Sequence, residues 1–98
     1  MAIDIKKIVE QILAEANGEK IHIRMEMPYT WGVTLTGEVD DTDIKVTHEF
    51  DFAKYANEFR TAHPETKCNI IDFSMTKKGN FKEIPRYDEE FQKEQDAL

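Results

Sequence analysis

Residues 20–51, KIHIRMEMPYTWGVTLTGEVDDTDIKVTHEFD, decide the fold. Ile21, Ile23, Met25 and Met27 alternate with His22, Arg24 and Glu26. Trp31, Val33 and Leu35 alternate with Thr30, Gly32, Thr34 and Thr36, and Ile44, Val46, His48 and Phe50 with Lys45, Thr47, Glu49 and Asp51. A period of two sustained over so many steps predicts a half-buried antiparallel meander with one apolar and one wet face. Pro28 ends or breaks the first strand, because it lacks a ladder donor. The second strand is expected from about Tyr29 to Val39, the third from Ile44 to Phe50. Asp40-Asp41-Thr42-Asp43 is the turn between them, since short acidic side chains satisfy their own backbone.

Outward from this stretch the period changes to that of a helix. Ile5, Ile8, Val9, Ile12, Leu13 and Ala16 form an amphipathic stripe that predicts a helix over 4–16, with Asp4 as N-cap and Asn17-Gly18 as the stop. Phe52, Tyr55, Ala56 and Phe59, with Ala62 or His63, form the stripe of a second helix over about 52–62, capped by Asp51 and closed by Pro64. Ile71, Phe73 and Met75 then alternate with Asp72, Ser74 and Thr76. Lys77-Lys78-Gly79-Asn80 reads as a hairpin turn with glycine at positive φ, and Phe81–Ile84 as a short returning strand stopped by Pro85. Asp88–Leu98 has helical composition but few apolar anchors, which predicts a frayed or partly docked terminal helix. The expected class is α+β: a four- to five-stranded antiparallel sheet, with the N-terminal and second helices mainly on one face, in a single domain.

Ninety-eight residues suffice for one core without metal or disulfide support. The net charge of −7 disfavours nucleic acid or an anionic membrane as a direct partner and suits a basic protein. A lone cysteine, Cys68, excludes an internal disulfide; with no leader-like or membrane-spanning apolar run, the reading is cytoplasmic.

Candidate chemistry is sparse. The acidic turn lacks the ligand spacing and closing Glu of a calcium loop. His22, His48 and His63 do not cluster in sequence; by parity His22 is on the wet face and His48 on the apolar face. Cys68 and His63 have no third orienting group, so Cys68 reads as a small core residue. Gly32 and Gly37 suggest a bulge or bend in the second strand, and Tyr29 and Trp31 share parity with the core. No cofactor is expected. Acidic residues fall in two blocks: Glu38, Asp40, Asp41 and Asp43, and Asp88, Glu89, Glu90, Glu94 and Asp96. Converging, they would steer a cationic partner. The expected partner-binding residues are Glu38, Asp40, Asp41, Asp43, Tyr87, Asp88, Glu89 and Glu90.

The stretch Ile70-Ile71-Asp72-Phe73-Ser74-Met75-Thr76-Lys77-Lys78-Gly79-Asn80-Phe81-Lys82, followed by Pro85-Arg86-Tyr87-Asp88, resembles the closing strand, turn and tyrosine–aspartate tail of small bacterial immunity proteins of the YezG-like kind. The resemblance covers about residues 68–88. It differs in Gly79-Asn80-Phe81, in Pro85 before Arg86-Tyr87, and in lacking a tryptophan on the closing strand. It implies a non-enzymatic protein that binds and neutralises a cognate toxin, often a nuclease, by covering its active site. The alternative is an acidic nucleic-acid mimic that inhibits a DNA- or RNA-binding enzyme, against which Lys45, Lys77, Lys78 and Lys82 weigh.

Overall fold

A computed structural model describes residues 5–29, 32–46, 52–65 and 67–98. The chain forms α1 (Ile5–Ala16), β1 (Lys20–Glu26), β2 (Thr34–Val39), β3 (Thr42–Ile44), α2 (Phe52–Ala62), β4 (Ile70–Thr76), β5 (Phe81–Arg86) and α3 (Glu89–Asp96). The five strands make one antiparallel sheet in the order β3-β2-β1-β4-β5, an α+β fold. The expected N-caps Asp4 and Asp51 lie outside the described residues, as do Trp31 and His48.

β1 is central. Ile21, Ile23 and Met25 lie opposite Met75, Phe73 and Ile71 of β4 and opposite Val39, Gly37 and Leu35 of β2. These rows share one face, and on it the buried stripes of α1 (Ile5, Val9, Ile12, Leu13) and α2 (Phe52, Ala56) join one core. Cys68 belongs to the same core and is fully buried, its Sγ 3.4 Å from the carbonyl of Ile70. Burial pushes its thiol pKa up. His63 is occupied elsewhere: its ring stacks on Phe59 and its Nδ1 lies 3.0 Å from the Phe59 carbonyl.

α1 ends in a Schellman motif. Gly18 N–H donates to Leu13 and Asn17 N–H to Ala14, with Asn17 at φ 53°. Asn17 takes the left-handed position, while Gly18 answers a different need. A Cβ there would lie 2.2 Å from Val39 Cγ1 and 3.3 Å from Leu13 Cδ1. Gly18→Ala therefore lowers stability by about 2 kcal/mol through overpacking. Urea unfolding reads the change; a variant as stable as the wild type would show that Val39 moves aside freely.

Three boundaries differ from expectation: the start of β2, the start of β3 and the end of β5. β2 starts at Thr34 rather than near Tyr29, and Tyr29 is exposed rather than core-facing: beyond Pro28 the period-two path is broken. Its ring lies under the Arg60 guanidinium, 3.9 Å away, while its hydroxyl accepts from Cys68 N–H. Arg60 also donates to the carbonyls of Met27 and Cys68, tying α2 to the ends of β1 and β4. The β2–β3 turn has two residues, not four. Asp40 and Asp41 take φ 50° and 67°, the mirror-image turn that suits strand twist, so β3 starts at Thr42. The third strand's expected continuation over 47–50 lies outside the described residues.

Gly37 is no bulge: it pairs regularly with Ile23, and its missing side chain leaves room for Ile44 and Val46, whose atoms would stand 3.3 and 3.1 Å from a Cβ. Pro85 does not stop β5, which runs to Arg86; β5 is an edge strand, where an outward position needs no N–H donor. Gly79 takes the expected positive φ, 93°.

Candidate functional site

The second face of the sheet carries the polar partners of the core rows. Across it run Asp43 (β3), Glu38 (β2), His22 (β1), Ser74 (β4) and Lys82 (β5), and beside them Thr36, Arg24, Asp72 and Ile84. Glu38, His22 and Arg86 keep two-fifths or more of their side-chain surface exposed, so this face is open to solvent.

A chain of polar contacts crosses it diagonally. Glu38 Oε1 lies 3.7 Å from His22 Nδ1, and His22 Nε2 lies 2.9 Å from Asp72 Oδ1. Arg86 Nε donates to Asp72 Oδ2 at 2.9 Å, and its Nη1 lies 3.8 Å from Asp88 Oδ2. Burial works against the charge of Asp72, but hydrogen bonds from Arg86 and His22 outweigh it and hold the carboxyl below the usual aspartate range. The sign of the pH effect follows. Asp72 contributes stability above the unfolded-state aspartate pKa, and that contribution is lost as pH falls through the lower folded-state value. Asp72→Asn is expected to remove this part of the acid limb of a stability–pH profile; an acid limb identical to the wild type would refute the coupling.

The two predicted acidic blocks do not converge. β1 runs from Lys20, beside the 38–43 tip, to Glu26, beside the segment leading to α3; its six steps separate the blocks by roughly 20 Å. Within the tip the roles divide. Asp40 is structural: its carboxylate accepts from Glu19 N–H and Lys20 N–H at 3.0–3.2 Å, fixing the α1–β1 connection against the turn. Asp41 is exposed, 3.7 Å from Lys20 Nζ. Asp43 faces Glu38 directly across β2–β3, a like-charge pair that costs stability where it stands.

At the other end Asp88 caps α3 by accepting from Phe91 N–H at 3.0 Å. Glu89 and Glu90 are exposed in the first turn, where the helix dipole favours them. Tyr87 is partly exposed, with Lys67 Nζ 5.5 Å from its ring centre. α3 is docked through Phe91 and Gln92, both buried. Gln92 Oε1 accepts from Tyr29 N–H at 3.2 Å, and the fully buried Asn69 exchanges two 2.8 Å hydrogen bonds with the Asp88 backbone.

Sequence reasoning missed His22, Asp72 and Arg86 as a group. Parity assigned His22 and Asp72 to the wet face, but only register could bring them together. No group of three or more His, Cys, Asp or Glu side chains among the described residues is placed to hold a metal ion, and no described helix is long and apolar enough to cross a membrane. No protein-family model and no curated protein matches the chain.

Proposed function

We propose that this chain is an immunity protein that binds and neutralises a cognate bacterial toxin domain, a nuclease effector, by covering its active site. The observation that carries this reading is the open polar sheet face, whose contact chain from Glu38 to Asp88 links the two acidic blocks across one surface. The net charge of −7 suits a basic partner, and exposed carboxylates at the tip supply on-rate and register. Nanomolar neutralisation needs about −12 kcal/mol, usually over roughly 800 Å² on each partner. Four strands ~20 Å long and the shorter β3, spaced about 4.8 Å apart, present only roughly 400–500 Å² in projection. A toxin of ordinary interface size therefore also covers the 38–43 tip or the Tyr87–Glu90 segment. The face interleaves Lys20, Arg24, Lys82 and Arg86 with its acids, which weighs against the nucleic-acid mimic, since that reading needs a long stripe of one sign.

The test is affinity capture from the source lysate, followed by expression of the captured protein alone and together with this chain. A basic protein that arrests growth alone and is silenced by co-expression supports the proposal. Capture of a housekeeping nucleic-acid enzyme would favour the mimic. With the toxin in hand, the double variant Asp41→Lys/Asp43→Lys, which spares the structural Asp40, is expected to slow association about tenfold at low salt and much less at high salt. Unchanged kinetics would remove the tip from the interface.

A further inference from the structure

His22 stands between carboxylates from two different strands, Asp72 of β4 at 2.9 Å on Nε2 and Glu38 of β2 at 3.7 Å on Nδ1. The other charged groups around it are Lys20 and Arg24 on β1, Asp43 of β3 facing Glu38, and Lys82 and Arg86 on β5. A neutral imidazole carries one N–H, a charged one two. The short contact to Asp72 takes the single proton of the neutral ring. The Nδ1 lone pair then faces the Glu38 carboxylate, which also meets Asp43 across the ladder. Protonation turns Nδ1 into a donor and places positive charge beside Glu38, while Asp72 keeps its partner in either state because Arg86 holds its second oxygen.

We propose that His22 is a proton-operated latch on Glu38: the charged ring draws the Glu38 carboxylate in, and the neutral ring releases it to stand beside Asp41 and Asp43 at the acidic tip. Histidine is the side chain suited to make this change between about pH 5 and 8. The latch sets how many carboxylates the tip offers a cationic surface, so protonation of His22 weakens that offer. It depends on no property of the partner.

The experiment is an NMR titration of the full chain from pH 8 to 5, following the His22 ring and the side-chain carboxyl carbons of Glu38 and Asp72. The Glu38 carboxyl is expected to show an inflection at the midpoint of His22, separate from its own protonation at lower pH. That inflection is expected to vanish in His22→Gln. A Glu38 signal that stays flat while His22 titrates would overturn the proposal, as would the same inflection persisting in His22→Gln. The wild-type titration decides alone if the variant does not fold.

Discussion

Phe73→Ala lowers the free energy of unfolding by about 4 kcal/mol, near the top of what a single truncation produces. Phe73 is fully buried in the middle of β4, between Ile23 of β1 and Glu83 of β5. Its ring meets Tyr55 of α2 edge-on at 5.9 Å and stacks with Phe81 at 6.4 Å. Truncation thus removes an apolar side chain, two aromatic contacts and the filling between sheet and helix. The neighbours cannot close the gap, because Tyr55 is itself anchored by a hydrogen bond from its hydroxyl to Glu83. For a domain of this size the loss corresponds to a melting temperature lower by about 20 °C. Urea denaturation measures it directly; a loss below about 1.5 kcal/mol would mean that the site collapses and that Phe73 is not the keystone of the core.

Asn69→Ala is expected to cost about 3 kcal/mol, for a different reason. Asn69 is a polar side chain with no exposure, and all its groups are used. Its Nδ2 donates to the Asp88 carbonyl and its Oδ1 accepts from Asp88 N–H, both at 2.8 Å, while its own backbone joins Met27 to Arg86. Alanine leaves the Asp88 N–H and carbonyl without these partners and loosens the start of α3. Hydrogen exchange separates this loss from a general one. The amides of Gln92 and Ala97, bonded to Asp88 and Lys93, are expected to lose protection while those of β1 and β4 keep most of theirs. Uniform loss of protection would show instead that α3 and the sheet unfold as one unit.

The contrast between these residues explains what was legible in the sequence. Phe73 was assigned correctly to the core face because alternation reports side-chain direction. The Asn17-Gly18 stop and the Gly79 turn were readable because few residues tolerate those backbone positions. Alternation does not say which strands are neighbours. That β1 pairs with β4, across 44 to 56 residues of chain, follows from joining two apolar faces under α1 and α2, which no local signal reports.

The same limit hid the candidate site. His22 and Asp72 are 50 residues apart, and register makes them partners. Asn69 gave no signal because a buried amide at a strand entrance has no period. Asp40 reads in the sequence as a turn residue and as a charge; its carboxylate is engaged not by its own turn but by the backbone amides of Glu19 and Lys20, and its value lies in left-handed φ and short reach. Of the predicted acidic residues, Asp41, Asp43, Glu38, Glu89 and Glu90 remain as exposed or partly exposed charges.

The edges of the sheet bear on how this protein behaves at high concentration. β5 forms one edge, and Pro85 within it presents no N–H to an incoming strand, while Lys82, Glu83 and Arg86 place charges along the same six residues. The opposite edge, β3, offers a ladder of three residues among those described, with Asp43 at its centre. Short, charged and proline-bearing edges are poor templates for strand addition. Among the described residues, both edges of the sheet therefore disfavour edge-to-edge polymerisation and the growth of fibres at high concentration.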